Sequence, residues 1–152
     1  MRLSEIQSVV SEIYQHTTEG TFVWKNYTNI LDEDENATGI KICQVFAKLN
    51  KKHIRNARVQ NALGNFLKAK AINPTAPFGG KDYPMIGKGP LGGIKHAGLT
   101  NDVSVMYEIK NNTIYLFAIG SHDDLGFGKP NNIKKQKQLV KKIDHCKKSE
   151  GI

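Results

Sequence analysis

The stretch VSVMYEIKNNTIYLFAI, residues 103–119, decides the fold. Apolar residues alternate with others on both sides of Asn111-Asn112, as they do in half-buried strands. The alternating positions are Val103, Val105, Tyr107 and Ile109, then Ile114, Leu116 and Ala118. Asparagine tolerates the positive φ values of a tight turn. The stretch therefore predicts a β-hairpin over residues 103–119.

Helices are predicted on the N-terminal side of this hairpin. Ser4 and Gln7 have capping-box spacing, and the apolar residues of 4–16 recur at helical intervals. The segment from Gly39 to Ala71 contains no proline and has a helical pattern, with a break near Asn50, which predicts two helices. Between these regions, residues 21–24 have strand composition and the acidic run 32–35 indicates a solvated loop.

Around the hairpin, the chain is irregular on one side and helical on the other. Residues 73–93 contain four of the five prolines and six glycines, which predicts a long loop. Loops of that length in a compact domain are usually functional or disordered. Beyond the hairpin, Asn132 is a candidate N-cap for a lysine-rich helix with a narrow apolar stripe.

These elements predict an α+β fold in which N-terminal helices pack on a small, twisted, mainly antiparallel sheet, with a basic helix at the C-terminus. A chain of 152 residues with 39% hydrophobic composition is long enough for one core. We therefore expect a single domain over residues 1–152, with an acidic N-terminal extension, 1–37, and a basic core, 38–152.

Charge is unevenly distributed between these two segments. Residues 1–37 carry seven acidic and two basic side chains, a net charge of −5. Residues 38–152 carry 20 basic and seven acidic side chains, a net charge of +13. An excess of this size attracts polyanions and makes their binding salt-dependent, which predicts a nucleic-acid partner. The alternative is that the lysines serve solubility alone.

Several other classes of protein are disfavoured. No apolar stretch has the length of a signal peptide or membrane span, so we expect a cytoplasmic protein without a membrane partner. Cys43 and Cys146 form no C-x-x-C pair. Residues 87–92 match G-x-G-x-x-G, but prolines replace the strand and helix that a dinucleotide site requires. The histidines show no metal-ligand spacing, so no cofactor or metal is expected.

Three residues near the two ends of the predicted hairpin can supply acid/base chemistry. His96 and Asp102 precede its first strand, and His122 follows its second. With a two-residue turn, residue 103 pairs with about residue 119 or 120, so the three side chains can converge. Two imidazoles beside a carboxylate suit proton transfer near neutral pH. The alternative is structural: His122 caps a strand end and His96 is a loop residue.

The runs LTNDVSVMYEI, residues 99–109, and IYLFAIGSHDDL, residues 114–125, resemble the C-terminal half of RelE/ParE-superfamily toxins, especially the YafQ-like ribosome-dependent mRNA interferases. In these toxins an aspartate opens a strand that ends in tyrosine, and a later strand ends in Gly-Ser/Thr-His-x-x-Leu. The resemblance implies that His122 is the catalytic histidine and Asp102 the paired acid, with His96 near a second histidine of the family.

The resemblance also implies a function, metal-independent cleavage of mRNA by attack of the ribose 2′-hydroxyl on the adjacent phosphate. His96 or Asp102 would act as the base and His122 as the acid, and an antitoxin protein would be a further partner. The cations expected to contact RNA are Lys81, Lys88, Lys95, Lys51, Lys52, Arg55 and Arg58. Two alternatives stay open, a non-catalytic nucleic-acid or ribosome-binding factor and a ParE-like gyrase poison. The acidic run 32–35 is expected near the basic surface, where it would compete with RNA, unless it is only a solubilising loop.

Overall fold

A six-stranded mixed sheet with the strand order β1-β2-β6-β5-β4-β3 organises the computed structural model, which describes residues 2–16, 24–27, 29–85 and 89–152. All strand pairs are antiparallel except β2 and β6, which run parallel. The strands are β1 (Trp24–Tyr27), β2 (Lys41–Leu49), β3 (Asp82–Pro84), β4 (Lys95–Gly98), β5 (Val103–Lys110) and β6 (Thr113–Ser121). The helices are α1 (Ile6–His16), α2 (Lys51–Ile54), α3 (Ala57–Ile72), α4 (His122–Leu125) and α5 (Ile133–Glu150). The predicted α+β class is confirmed.

The predicted hairpin is present as β5 and β6, and Asn111 and Asn112 in its turn have φ values of 52° and 58°. Its register is not the simple one. Lys110 pairs with Thr113, but β6 has one extra residue, Phe117, opposite the step between Met106 and Tyr107. This β-bulge moves the last pair to Val103 and Ser121, one residue beyond the partner that the sequence predicts.

Both faces of the sheet are covered, and each has its own apolar cluster. The α1 and α3 helices pack on one face, where Ile42, Leu116 and Ile119 are buried. The α5 helix packs on the other face, against Cys43 and Phe117. The sheet therefore lies between two helical layers.

The helix expected between Gly39 and the break at Asn50 is wrong, because residues 41–49 form β2. Ile42 and Phe46 face the α1 and α3 layer, whereas Cys43 and Val45 face α5. A strand buried on both faces has a nearly continuous apolar sequence, and periodicity cannot separate it from a buried helix. The expected break itself is confirmed, since the Asn50 side chain accepts a hydrogen bond from the backbone of Lys52 at the start of α2.

The acidic N-terminal segment is a structural part of this domain. Five side chains of α1 lie in the same cluster as α3: Ile6, Val9, Val10, Ile13 and Tyr14. The acidic run 32–35 forms a turn, in which the Glu35 backbone N–H donates to the Asp32 carbonyl oxygen. Of the strand expected at residues 21–24, residues 21–23 lie outside the described part of the chain, and β1 begins at Trp24.

Two further expectations concern the flanks of the hairpin. The loop predicted at 73–93 contains one short strand, β3, which pairs with β4 at the edge of the sheet. The basic C-terminal helix is confirmed as α5, with the Asn132 side chain capping its first turn. Among the described residues, no helix combines the length and apolar composition that crossing a membrane requires.

A buried ion pair fixes the start of the long loop to the helical layer. Lys70 of α3 is 1% exposed, and its Nζ atom lies 2.5 Å from Asp82 Oδ2 and 2.7 Å from the carbonyl oxygen of Ala76. Asp82 also accepts hydrogen bonds from the Tyr107 hydroxyl and from the Phe78 backbone N–H. Burial opposes ionisation of Asp82, but these hydrogen bonds hold its pKa below the ordinary value. Both charges are therefore paired.

We predict that Asp82→Asn lowers the free energy of unfolding by about 3–5 kcal/mol, because it leaves the buried Lys70 ammonium without a counter-ion. The double variant Lys70→Met/Asp82→Asn should recover part of that loss. Urea denaturation measures both. As a control, Glu108→Gln removes the half-exposed pair with Lys147, 3.1 Å apart, and should cost no more than about 1 kcal/mol. Equal losses in Asp82→Asn and Glu108→Gln would contradict the prediction.

Candidate active site

A cleft of about 790 Å³ opens at the end of the sheet where β2 and β6 finish and β5 begins. Its ionisable lining is mixed. Three cations face three carboxylates and two imidazoles, and these are Lys52, Arg58, Lys129, Asp102, Asp123, Asp124, His53 and His122. A cleft with both proton donors and proton acceptors has the groups that general acid/base catalysis requires.

The hairpin register brings Asp102 and His122 together at this cleft. Val103 and Ser121 are the last pair of the β5–β6 ladder, so Asp102 and His122 are the next residues on each side. Both are exposed. Without the bulge at Phe117, Val103 would pair with Gly120 and Asp102 would follow opposite Ser121. The extra residue in β6 therefore decides that Asp102 and His122 are the residues that flank the last pair of the ladder.

His122 is the first residue of α4, which a capping box attaches to the end of β6. The Ser121 hydroxyl accepts a hydrogen bond from the Asp124 backbone, and the Asp124 carboxylate accepts one from the Ser121 backbone. A Cβ atom at Gly120 would lie 2.8 Å from the Asp124 Cβ atom, so only glycine permits this approach. These contacts fix the direction in which His122 leaves the sheet.

The carboxylate of Asp124 also joins α4 to the residues that follow β2. Asn50 Nδ2 donates to its Oδ1 atom at 2.8 Å, and His53 Nε2 lies 3.2 Å from its Oδ2 atom. Burial opposes ionisation of Asp124, but hydrogen bonds from the Ser121 backbone, Asn50 and His53 hold its pKa below the ordinary value. A carboxylate accepts hydrogen bonds, so the contact with Asp124 favours the tautomer of His53 that carries a proton on Nε2.

Sequence reasoning did not select His53. It lies in a predicted basic helix, and its partner Asp124 is 71 residues away. The one local signal is its position three residues after Asn50, at the expected helix break. Its side chain is buried.

His96 is not among the residues that line the cleft, although Phe127, which does line it, contacts the His96 ring. It is buried in β4, where its Nδ1 atom donates to the carbonyl oxygen of Tyr83 at 3.0 Å. The Phe127 ring contacts both histidines, with centroid distances of 5.9 Å to His96 and 4.9 Å to His122. Burial, with a smaller contribution from His122, lowers the pKa of His96 below 6.5.

Only some of the cations expected to contact RNA line the cleft. Lys52 and Arg58 line the cleft. Lys51 and Arg55 are exposed near them but do not line it, and Lys95 is half-buried in β4. Lys81 lines a second, smaller cleft, which Arg58 also borders. Lys88 lies outside the described residues. Lys129, which sequence reasoning did not select, belongs to the first cleft.

Metal ligation has no structural support within the described ranges, where no three histidine, cysteine or acidic side chains form a group that could hold an ion. Comparison of the chain with protein-family models, curated proteins and solved structures gave no match. The chemistry of the site is therefore inferred from its own residues.

We predict that His96→Asn reduces the loss of stability in mild acid. Below pH 6.5 the unfolded chain protonates this histidine more readily than the folded chain does, so the wild-type free energy of unfolding falls as pH decreases. Asparagine retains an N–H donor for Tyr83 but does not titrate. Urea denaturation at pH 5 and pH 7.5 measures the difference. His145→Asn, at an exposed position, is the control, and an unchanged pH dependence in His96→Asn would contradict the assignment.

Proposed function

We propose that this protein is a metal-independent endoribonuclease that cleaves mRNA. The observation that supports the proposal is that Asp102 and His122 flank the last pair of the β5–β6 ladder and both line a cleft bordered by Lys52, Arg58 and Lys129. The sequence resemblance to RelE/ParE-superfamily toxins of the YafQ-like kind supports the same assignment, because His122 and Asp102 are the residues that it selects.

The reaction begins with attack of the ribose 2′-oxygen on the adjacent phosphorus. Asp102 accepts the proton of the 2′-hydroxyl, and the P–O bond to the 5′-oxygen of the next nucleotide breaks. Protonated His122 donates its proton to that leaving oxygen. The products are a 2′,3′-cyclic phosphate and a free 5′-hydroxyl, so protons and electron pairs balance without a metal or another cofactor.

The surrounding cations stabilise the negative charge that develops on the phosphate oxygens. Arg58 is the suitable residue for this role, since its planar guanidinium can contact two oxygens at once. Lys52 and Lys129 add positive potential at the rim.

The contacts of Asp124 prepare the site before RNA binds. Asn50 and His53 hold Asp124, and Asp124 holds the turn that begins α4 and carries His122. In this arrangement His53 is a positioning residue, because its Nε2 atom is committed to Asp124. Of the two residues expected as the base, His96 and Asp102, we assign the role to Asp102, because His96 does not line the cleft.

A cytoplasmic setting and an antitoxin protein that covers the cleft follow from the toxin-like assignment. Binding without cleavage is the competing function, and one observation favours it. The α5 helix carries seven lysines against Asp144 and Glu150, so more than half of the net charge of +8 lies on α5, not at the cleft. Polyanion binding through α5 would not need the histidines.

We predict that His122→Ala loses cleavage by about 10²- to 10⁴-fold while it keeps its fold and its affinity for RNA, since only a proton donor is removed. Incubation with translating ribosomes and with free mRNA, followed by mapping of new RNA ends, measures the loss. His145→Ala, on the exposed surface of α5, is the matched control. Cleavage by His122→Ala at the wild-type rate would remove His122 from the mechanism, and an inactive wild type that still binds RNA would support the competing function.

We also predict that RNA affinity falls steeply with salt, because binding to the basic segment releases condensed counterions. Titrations of a labelled RNA at salt concentrations between about 50 and 200 mM give the slope of log affinity against log salt concentration. Replacing Lys134, Lys137 and Lys141 of α5 with Gln should lower the slope if α5 contacts the RNA. Affinity that hardly changes with salt would contradict an electrostatic mode of binding.

A further inference from the structure

A second cleft of about 500 Å³ continues from the first. The two clefts share three lining residues, Arg58, Thr100 and Asn101, so they adjoin at these residues and are called here the first and second compartments. The second compartment lies between the segment 78–81 and the turn 98–101. A ligand longer than one nucleotide could therefore contact both compartments near Arg58.

The two compartments differ in charge. The first has three carboxylates and two imidazoles among its lining residues, whereas the second has Arg58 and Lys81 and no acidic residue among those described. A lining with cations and no proton acceptor suits the binding of an anion and not proton transfer. The second compartment is thus a binding site beside the candidate reactive one.

The walls of the second compartment are built on buried contacts. The Phe78 backbone N–H donates to Asp82, the acid of the buried ion pair, at 2.8 Å, and the Gly98 N–H donates to the Lys81 carbonyl oxygen at 2.9 Å. At Gly79 and Gly80 no heavy atom lies within 4 Å of the place where a Cβ atom would stand. The segment is therefore anchored at Phe78 and Asp82, and between them it leaves its backbone open to a ligand.

We propose that the second compartment binds the phosphate of the nucleotide next to the scissile one in a single-stranded RNA, with Lys81 as its specific cation and Arg58 at the junction of the two sites. This inference rests on the proposed function and adds a length requirement to it. A single strand follows such a bent groove because its backbone is flexible, and lysine contacts with its phosphates need no particular base.

The test uses RNA that cannot be cleaved, a 2′-O-methyl dinucleotide and a 2′-O-methyl tetranucleotide, each labelled for fluorescence anisotropy. In Lys81→Gln the affinity for the tetranucleotide should fall about two- to fivefold at low salt, and its salt slope should fall by about 0.7, the value for one phosphate of a single strand. Affinity for the dinucleotide should stay at the wild-type value, since that ligand is too short to occupy both compartments. Arg58→Gln should weaken both ligands.

Lys110→Gln provides an equal change of charge at the turn end of the hairpin and should affect neither ligand. The second site would be overturned if Lys81→Gln and Lys110→Gln lowered the affinity for the tetranucleotide equally. It would also be overturned if Lys81→Gln lowered the affinity for both ligands equally. Either result leaves the proposed cleavage intact. Failure of both ligands to bind the wild type would overturn the second site and the proposed function together. Because the RNA lacks a 2′-hydroxyl, none of these outcomes depends on catalysis.

Discussion

The pairing of β6 with strands on both sides, while each of its faces is covered by helices, is the constraint on which the site depends. Phe117 is the extra residue in this strand, and both Phe117 and Ala118 face α5. The alternation then resumes with Ile119 on the opposite face. A strand buried on both sides tolerates such a bulge because either face accepts an apolar side chain. The consequence lies at the end of the strand, since the shift makes Asp102 and His122 the residues that flank the last pair of the ladder.

The second support of the site is the buried ion pair of Lys70 and Asp82. Its ammonium and its carboxylate are both buried, so the pair makes no direct contact with a ligand, and replacement of such a pair with apolar residues often costs little stability. The pair instead fixes the position of Asp82. Asp82 joins α3, β5 and the segment that begins at Phe78, and this segment forms one wall of the second compartment. The pair therefore connects the helical layer to the surface where a polyanion would lie.

The sequence predicts those elements that a single local signal determines, and it does not predict those that depend on tertiary contacts. The hairpin, the Asn50 break and the Asn132 cap all follow from a turn or capping residue beside a periodic pattern. The β2 strand could not be predicted in this way, because burial on both faces removes the alternation of apolar and polar residues. The bulge could not be recognised in the sequence either, because Phe117 and its neighbours are all apolar. The place of His53 in the cleft and the burial of His96 could not be predicted either, because both depend on contacts with residues distant in sequence.

The distribution of charge separates long-range attraction from local chemistry. The first cleft has as many carboxylates as cations in its lining, so it generates little net field and would not by itself attract RNA. Under the proposed function the attraction would come from α5, whose first turn lies beside the cleft, where Lys135 Nζ donates to the carbonyl oxygen of Asp123 at 2.9 Å. An RNA bound to α5 would then lie next to Asp123 and His122. The cleft and α5 therefore differ in charge, since the cleft lining is balanced and α5 is strongly basic.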